Sequence, residues 1–165
     1  MRDVLDLCAD LPRRRLAPGE VLVEEGTPPT GALFVLIDGE LEVVKDGGIP
    51  ITTVSEPGSF FAEISLLLGV PHTATVRAVG PAEVLVAADG KALLQSKPAL
   101  GLALARLLAR RLALTLSYLA DLKRQFADEA ASLGMVDEVL ESLVHLQGDE
   151  PDDDPGSDRE REPND

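Results

Sequence analysis

The chain has 165 residues, with 15 Lys and Arg against 29 Asp and Glu, a formal charge of −14 and a pI near 4.4. Half of that charge lies at one end: residues 1–147 carry 13 basic and 20 acidic groups, and residues 148–165 carry 2 and 9. The length fits one domain, an acidic body with an acidic tail excludes a nucleic-acid partner, and a single cysteine excludes an internal disulfide or a multi-cysteine zinc site.

The opening segment M-R-D-V-L-D-L-C-A-D holds three acids and no long apolar run. It does not read as a secretory signal, so a cytoplasmic location is the expectation. Cys8 is expected as a buried apolar residue of a first helix. Arg13-Arg14-Arg15 is the one basic run and reads as a solvated strand end.

Short β-like runs follow at 21–24, 32–37, 40–44, 51–54, 74–79 and 83–87, separated by Gly- and Pro-containing turns. Strands recurring about every ten residues predict a mainly β fold with flanking helices, an antiparallel β-roll or jelly roll. Asp38-Gly39 between two apolar runs predicts a hairpin, because both central residues of a type I′ turn need positive φ.

The stretch Gly58–Ala78, G-S-F-F-A-E-I-S-L-L-L-G-V-P-H-T-A-T-V-R-A, reads as a strand end, one short helical segment, a turn and a new strand. Glu63 opens the helical segment, whose first N–H groups lack intrahelical partners and accept anions. Pro71-His72-Thr73 returns a titratable ring and a hydroxyl beside it. A carboxylate, free N–H groups, an imidazole and a hydroxyl on one loop suit a phosphorylated sugar. For each the plainer alternative stays open: Glu63 as a charge complementing its own helical turn, His72 as an exposed loop residue, Thr73 and Thr75 as strand residues. Arg77 is open between a surface charge and a substitute phosphate contact.

Asp89 predicts a cap for a short helix over 90–96, and Pro98 suits the first turn of a long one. Gly101–Leu122 is the greasiest region, but Arg106, Arg110, Arg111 and Asp121 interrupt it, which argues against a membrane span. Ala105, Leu108, Leu112, Thr115, Leu119, Leu122 and Phe126 form a heptad-like seam, open between internal core and a two-fold dimer contact along helix 101–126. From Gly134 the apolar residues Met135, Val136, Val139, Leu140, Leu143 and Val144 predict a further helix over 134–147. The acidic tail of 148–165 has no apolar residue and is expected to lack structure.

The cassette region resembles cyclic-nucleotide-binding domains of bacterial catabolite-activator-type regulators, protein-kinase regulatory subunits and nucleotide-gated channels. The family's phosphate-binding cassette reads roughly F-G-E-x-[A/S]-L-L … P-R-[A/S/T]-A-T-V. It is matched by Phe61-Ala62-Glu63-Ile64-Ser65-Leu66-Leu67 and by Pro71-His72-Thr73-Ala74-Thr75-Val76. L-A-P-G-E-V-L-V-E-E-G at 16–26 and A-L-F-V-L-I-D-G-E-L-E-V at 32–43 are similar to its earlier strands, so the resemblance spans about 5–126. It implies a domain over 1–127 that includes the long helix, with a ligand site at Phe61, Ala62, Glu63, Ile64, Ser65, His72, Thr73 and Ala74. It implies cAMP or cGMP as ligand, Glu63 on the ribose 2′-hydroxyl and Thr73 within reach of a guanine amino group. It further implies no metal, no catalysis, a homodimer and an effector protein that receives the ligand state through the C-terminal helices; the alternative is a ligand-free dimerisation or docking scaffold. His72 stands where the family has the phosphate-clamping Arg. Losing a charge-assisted paired contact costs roughly 1.5–3 kcal/mol. Ala62 stands where Gly is usual, which strains an Ala if the site needs positive φ. Only His72 and His145 exist, which is too few for a cupin-type metal site. There is no Gly-rich phosphate loop of nucleotide hydrolases and no nucleophile triad, so no enzyme is expected.

Overall fold

A computed structural model describes residues 2–125 and 130–145. The expectations for Phe126, for 146 and 147 of the last predicted helix, and for the tail of 148–165 lie outside the described residues. The elements are α1 (Arg2–Leu7), β1 (Arg13–Leu16), β2 (Val21–Val23), β3 (Leu33–Asp38), β4 (Leu41–Lys45), β5 (Ile49–Val54), β6 (Phe60–Phe61), α2 (Glu63–Leu68), β7 (Thr75–Ala78), β8 (Ala82–Ala87), α3 (Gly90–Ser96), α4 (Pro98–Gln125) and α5 (Ala130–His145). The chain divides into two compact units, Met1–Ala109 and Arg110–Asp165.

The eight strands form two antiparallel sheets, ordered β1-β8-β3-β6 and β2-β7-β4-β5. This is the mainly β roll with flanking helices that the run spacing predicts. In the first sheet, β3, β6 and β8 are packed on both faces. Along β3, Phe34 and Leu36 enter a core between the sheets with Leu22, Leu41 and Val76. Leu33 and Val35 enter a second core with Val4, Cys8, Leu66, Leu93, Leu100 and Leu104 from the helices. Successive strand residues face opposite ways, so a doubly covered strand reads as an unbroken apolar run, as A-L-F-V-L-I does. Cys8 is fully buried in the second core, and burial pushes its thiol pKa up.

Asp38-Gly39 does not make the predicted hairpin. β3 and β4 lie in different sheets, so no pair of ladder partners flanks it. Gly39 has φ +94°, while the described non-glycine residues with positive φ are Asp46 and Ala62, not Asp38. The glycine is needed for space: a Cβ there meets the Ala82 Cα and the Pro81 carbonyl oxygen at 2.6 Å. A hairpin does form at Asp46-Gly47-Gly48, which joins β4 to β5 within one sheet. The arginine run is a strand, with only Leu16 of its four residues buried. Arg13 and Arg15 pair with Glu83 of β8 at 3.6 and 3.5 Å, and Arg14 donates to Glu20 at 2.9 Å.

Asp89 caps α3 by accepting the Ala92 N–H at 2.9 Å, and α4 begins at Pro98, both as predicted. Gly90 lies so close to the cassette helix that a Cβ would sit 2.5 Å from Leu66 Cδ2 and 2.9 Å from Leu33 Cβ. At the α3–α4 elbow, Lys97 Nζ donates to the Leu7 carbonyl at 2.6 Å and to Asp10 at 2.8 Å, fastening the end of α1.

In the second unit, Lys123 pairs with Asp137 of α5 and Arg124 with Asp121. α5 starts at Ala130, earlier than the predicted Gly134. Of the predicted seam, Ala105, Leu112 and Thr115 are exposed, while Leu108, Leu119 and Leu122 are half-buried. Among the described residues no helix is long and apolar enough to cross a membrane.

Gly39→Ala is expected to destabilise the protein by about 2–3 kcal/mol, through the backbone clash and the strained φ together. Urea unfolding checks this: the midpoint should fall with the slope unchanged.

Candidate functional site

The cassette is held by two adjacent phenylalanines that point into different cores. Phe60 packs among Leu33, Val35 and Leu66, and Phe61 among Phe34, Leu36 and Val76. With both ring faces committed, the backbone leaving β6 has a fixed direction. It turns at once through Ala62, whose φ of 68° and ψ of 10° are left-handed. Glycine is at ease there, whereas a Cβ costs roughly 1–2 kcal/mol. Ala62 gives α2 no side-chain cap, and Gly69 closes the helix in the same left-handed conformation.

The eight predicted site residues divide into two groups. Phe61, Glu63, Ser65 and His72 are buried, at 4%, 5%, 3% and 5% exposure. Ala62 and Ala74 are half-buried, Ile64 is 40% exposed and Thr73 is exposed. Ser65 and His72 meet side chain to side chain, with Oγ and Nδ1 3.0 Å apart. The His72 backbone is fixed as well: its N–H donates to the Thr27 carbonyl at 3.0 Å, and its carbonyl accepts the Gly26 N–H at 2.8 Å. His72 is therefore no exposed loop residue, and burial holds its pKa below the ordinary imidazole value. At pH 7 the ring is neutral, and the position offers no permanent charge.

Arg77 does not supply one either. It lies on the face of β7 opposite Val76 and Ala78, and its Nε donates to Glu42, its cross-strand partner on β4, at 2.8 Å. A group that sequence reasoning missed borders the second half of the cassette. Lys45 Nζ donates to the Thr73 carbonyl at 3.0 Å and lies 3.7 Å from Glu25. Glu25 also accepts the Asp46 N–H at 2.8 Å, and its own N–H donates to Thr75 Oγ1 at 2.9 Å. These contacts join residues as far as 50 positions apart, and no local pattern announces them. Among the described residues no group of three His, Cys, Asp or Glu is placed to hold a metal ion. An open groove of about 580 Å³ lies elsewhere, lined by Arg15, Glu20, Asp38 and Glu83 among others.

Comparison with known proteins agrees with this architecture. Residues 13–94 match the family model described as cyclic nucleotide-binding domain. An uncharacterised ABC transporter ATP-binding protein of Mycobacterium tuberculosis is 42% identical over 66 residues, 38% of this chain and 20% of that protein. A cAMP-dependent protein kinase regulatory subunit of Pyricularia oryzae is 38% identical over 86 residues, 52% of this chain and 21% of that protein. The chain thus spans about a fifth of these curated relatives. The crystal structure of the Thermus thermophilus catabolite activator protein superposes with a TM-score of 0.59 at 27% identity, covering 78% of this chain and 60% of that one.

Two outcomes follow from the cassette geometry. Ala62→Gly relieves the left-handed strain and should stabilise the protein by about 0.5–1 kcal/mol, a rise in melting temperature of roughly 1–4 °C. His72 makes stability fall on the acid side. Its native pKa lies below the unfolded value of about 6.5, so the unfolded chain takes up the proton first. The stability it contributes is full above about pH 6.5 and is lost as pH falls from there toward the native pKa. Denaturation curves from pH 7.5 to 5 should show this loss, and His72→Gln should remove it.

Proposed function

Residues 13–94 belong to the cyclic nucleotide-binding domain family, and from that membership we propose that this chain is a regulatory module whose cassette senses a small nucleotide or a related anion. The observation that carries this reading is the cassette itself: β6 is anchored in both cores, Ala62 adopts the left-handed turn, and Glu63 is buried at the start of α2. Glu63 would take the ribose hydroxyl, and Thr73 and Ala74 would border the phosphate side. cAMP and cGMP are the ligands to try first, since one relative is named for cAMP dependence. No metal and no catalytic step enter the proposal.

The ligand state would pass to the helices and on to a second copy of the chain or an effector protein. Leu112, Leu114 and Tyr118 of α4 are 44%, 72% and 65% exposed, which supports an apolar contact along that helix. Such a ligand shifts the helices only by its difference in affinity for their two arrangements.

A second reading, a ligand-free dimerisation or docking scaffold, is favoured by one observation. The residue at the phosphate position is neutral and already bonded to Ser65. Calorimetry with cAMP and cGMP separates the two. The wild type should bind weakly at pH 7, and His72→Arg should bind at least tenfold more tightly, as a charge-assisted pair worth roughly 1.5–3 kcal/mol is restored. Absence of heat from both proteins at millimolar ligand, with the variant's melting curve intact, would leave the scaffold.

A further inference from the structure

Ser65 and His72 are buried to 3% and 5% exposure, and their side chains meet at 3.0 Å. A ring nitrogen and a hydroxyl can bond in two senses. If Nδ1–H donates to Oγ, the serine's own proton is left in the interior without an acceptor from this pair. A buried unsatisfied donor costs about 1–3 kcal/mol. If Oγ–H donates to an unprotonated Nδ1, both groups are satisfied and the ring proton sits on Nε2. We propose that Ser65 is a positioning residue that fixes His72 as the Nε2–H tautomer, so that the cassette offers a ligand one neutral donor where a permanent cation would otherwise stand. The specificity that follows differs from that of a charged clamp. An anionic phosphate is held well only when a proton arrives with it.

The surroundings do not undo this. On α2 the charged group is Glu63, buried at the first position. In the segment after β2 it is Glu24 and Glu25, and the latter is engaged by Lys45 at 3.7 Å. Lys45 itself is drawn to the Thr73 carbonyl, and on β7 Arg77 is held by Glu42. Protonating Nδ1 forces the Ser65 hydroxyl to reverse and orphans its proton. The bond therefore opposes the charged ring in the same direction as the burial that holds its pKa down.

This inference rests on the cassette being the ligand site, so the test has a ligand-free arm and a ligand arm. In the first, 15N imidazole spectra of the full-length protein at pH 7.5, with His72 assigned by its loss in His72→Gln, should show the Nε2–H form. Ser65→Ala should give mixed tautomers and a higher His72 pKa, and Ser65→Thr, which keeps the hydroxyl, should restore the single form. An Nδ1–H ring in the wild type, or a spectrum unchanged by Ser65→Ala, overturns the proposal. In the second arm, cAMP titrations from pH 5.5 to 7.5 should show uptake of one proton, with affinity falling about tenfold per pH unit above the imidazole pKa. Equal affinity across that range overturns the specificity role. Absence of binding at every pH, in His72→Arg as well, overturns it together with the reading it rests on; the tautomer still decides the positioning role.

Discussion

The first unit depends on three strands, β3, β6 and β8, that are packed on both faces. β3, β6 and β8 each send alternate residues into the core between the sheets and into the core beneath the helices. A fully buried Leu or Phe contributes about 1.5–3 kcal/mol relative to exposure. A one-residue slip in β3 would exchange Leu33 and Val35 with Phe34 and Leu36, and the two cores demand different shapes. Register is therefore set from both sides. β6, only two residues long, inherits that precision through Phe60 and Phe61. The cassette starts from a point that cannot move without disturbing two cores.

That fixity explains why Ala62 is tolerated in a conformation it disfavours. The strain of a left-handed alanine is small beside the burial of Phe60 and Phe61 before it and Leu66 after it. The backbone holds the conformation that the two cores impose and Ala62 follows. The same logic applies to His72. Its backbone is bonded to Gly26 and Thr27, and its ring to Ser65. The surrounding structure places a neutral ring there, so the chemistry at that position is set by packing and by one hydroxyl, not by a free side chain seeking a charge.

Much of the fold was legible because its signals are local. Asp89 before a helix, Pro98 at the start of the next, and apolar runs between Gly-Pro turns each act over a few residues, and all appear in the structure. Asp38-Gly39 misled for a physical reason. A turn dipeptide reports that the chain reverses, but not which sheet receives it, and Gly39 was selected by its approach to Ala82. At the site, the cassette residues could be named from their order. Their environment could not, because the backbone of His72 is bonded to Gly26 and Thr27, about 45 positions away, and the contacts of Lys45 with Thr73 and Glu25 cross the sheet. The substitution of His for Arg is visible in sequence; that the ring is already bonded to Ser65 is a property of the folded chain.

The cassette helix shares its core with the other helices of the first unit. Leu66 of α2 lies with Val4 and Cys8, with Leu93 of α3, and with Leu100 and Leu104 of α4. Gly90 admits Leu66 so closely that no side chain could stand between them. A close-packed core responds to displacement by moving as a block, since voids and overlaps both cost energy. A shift of α2 must therefore be met at the start of α3, and through the Lys97 elbow at α1. The packing that joins the cassette helix to α3 and α1 is there whatever occupies the cassette. On the proposed reading, what the neutral His72–Ser65 pair would alter is the input: the strength with which an anion would grip α2. Relatives that match parts of this chain are named as differently as an ABC transporter ATP-binding protein and a kinase regulatory subunit. One fold serves such different settings because function lives in the sites and attachments it carries.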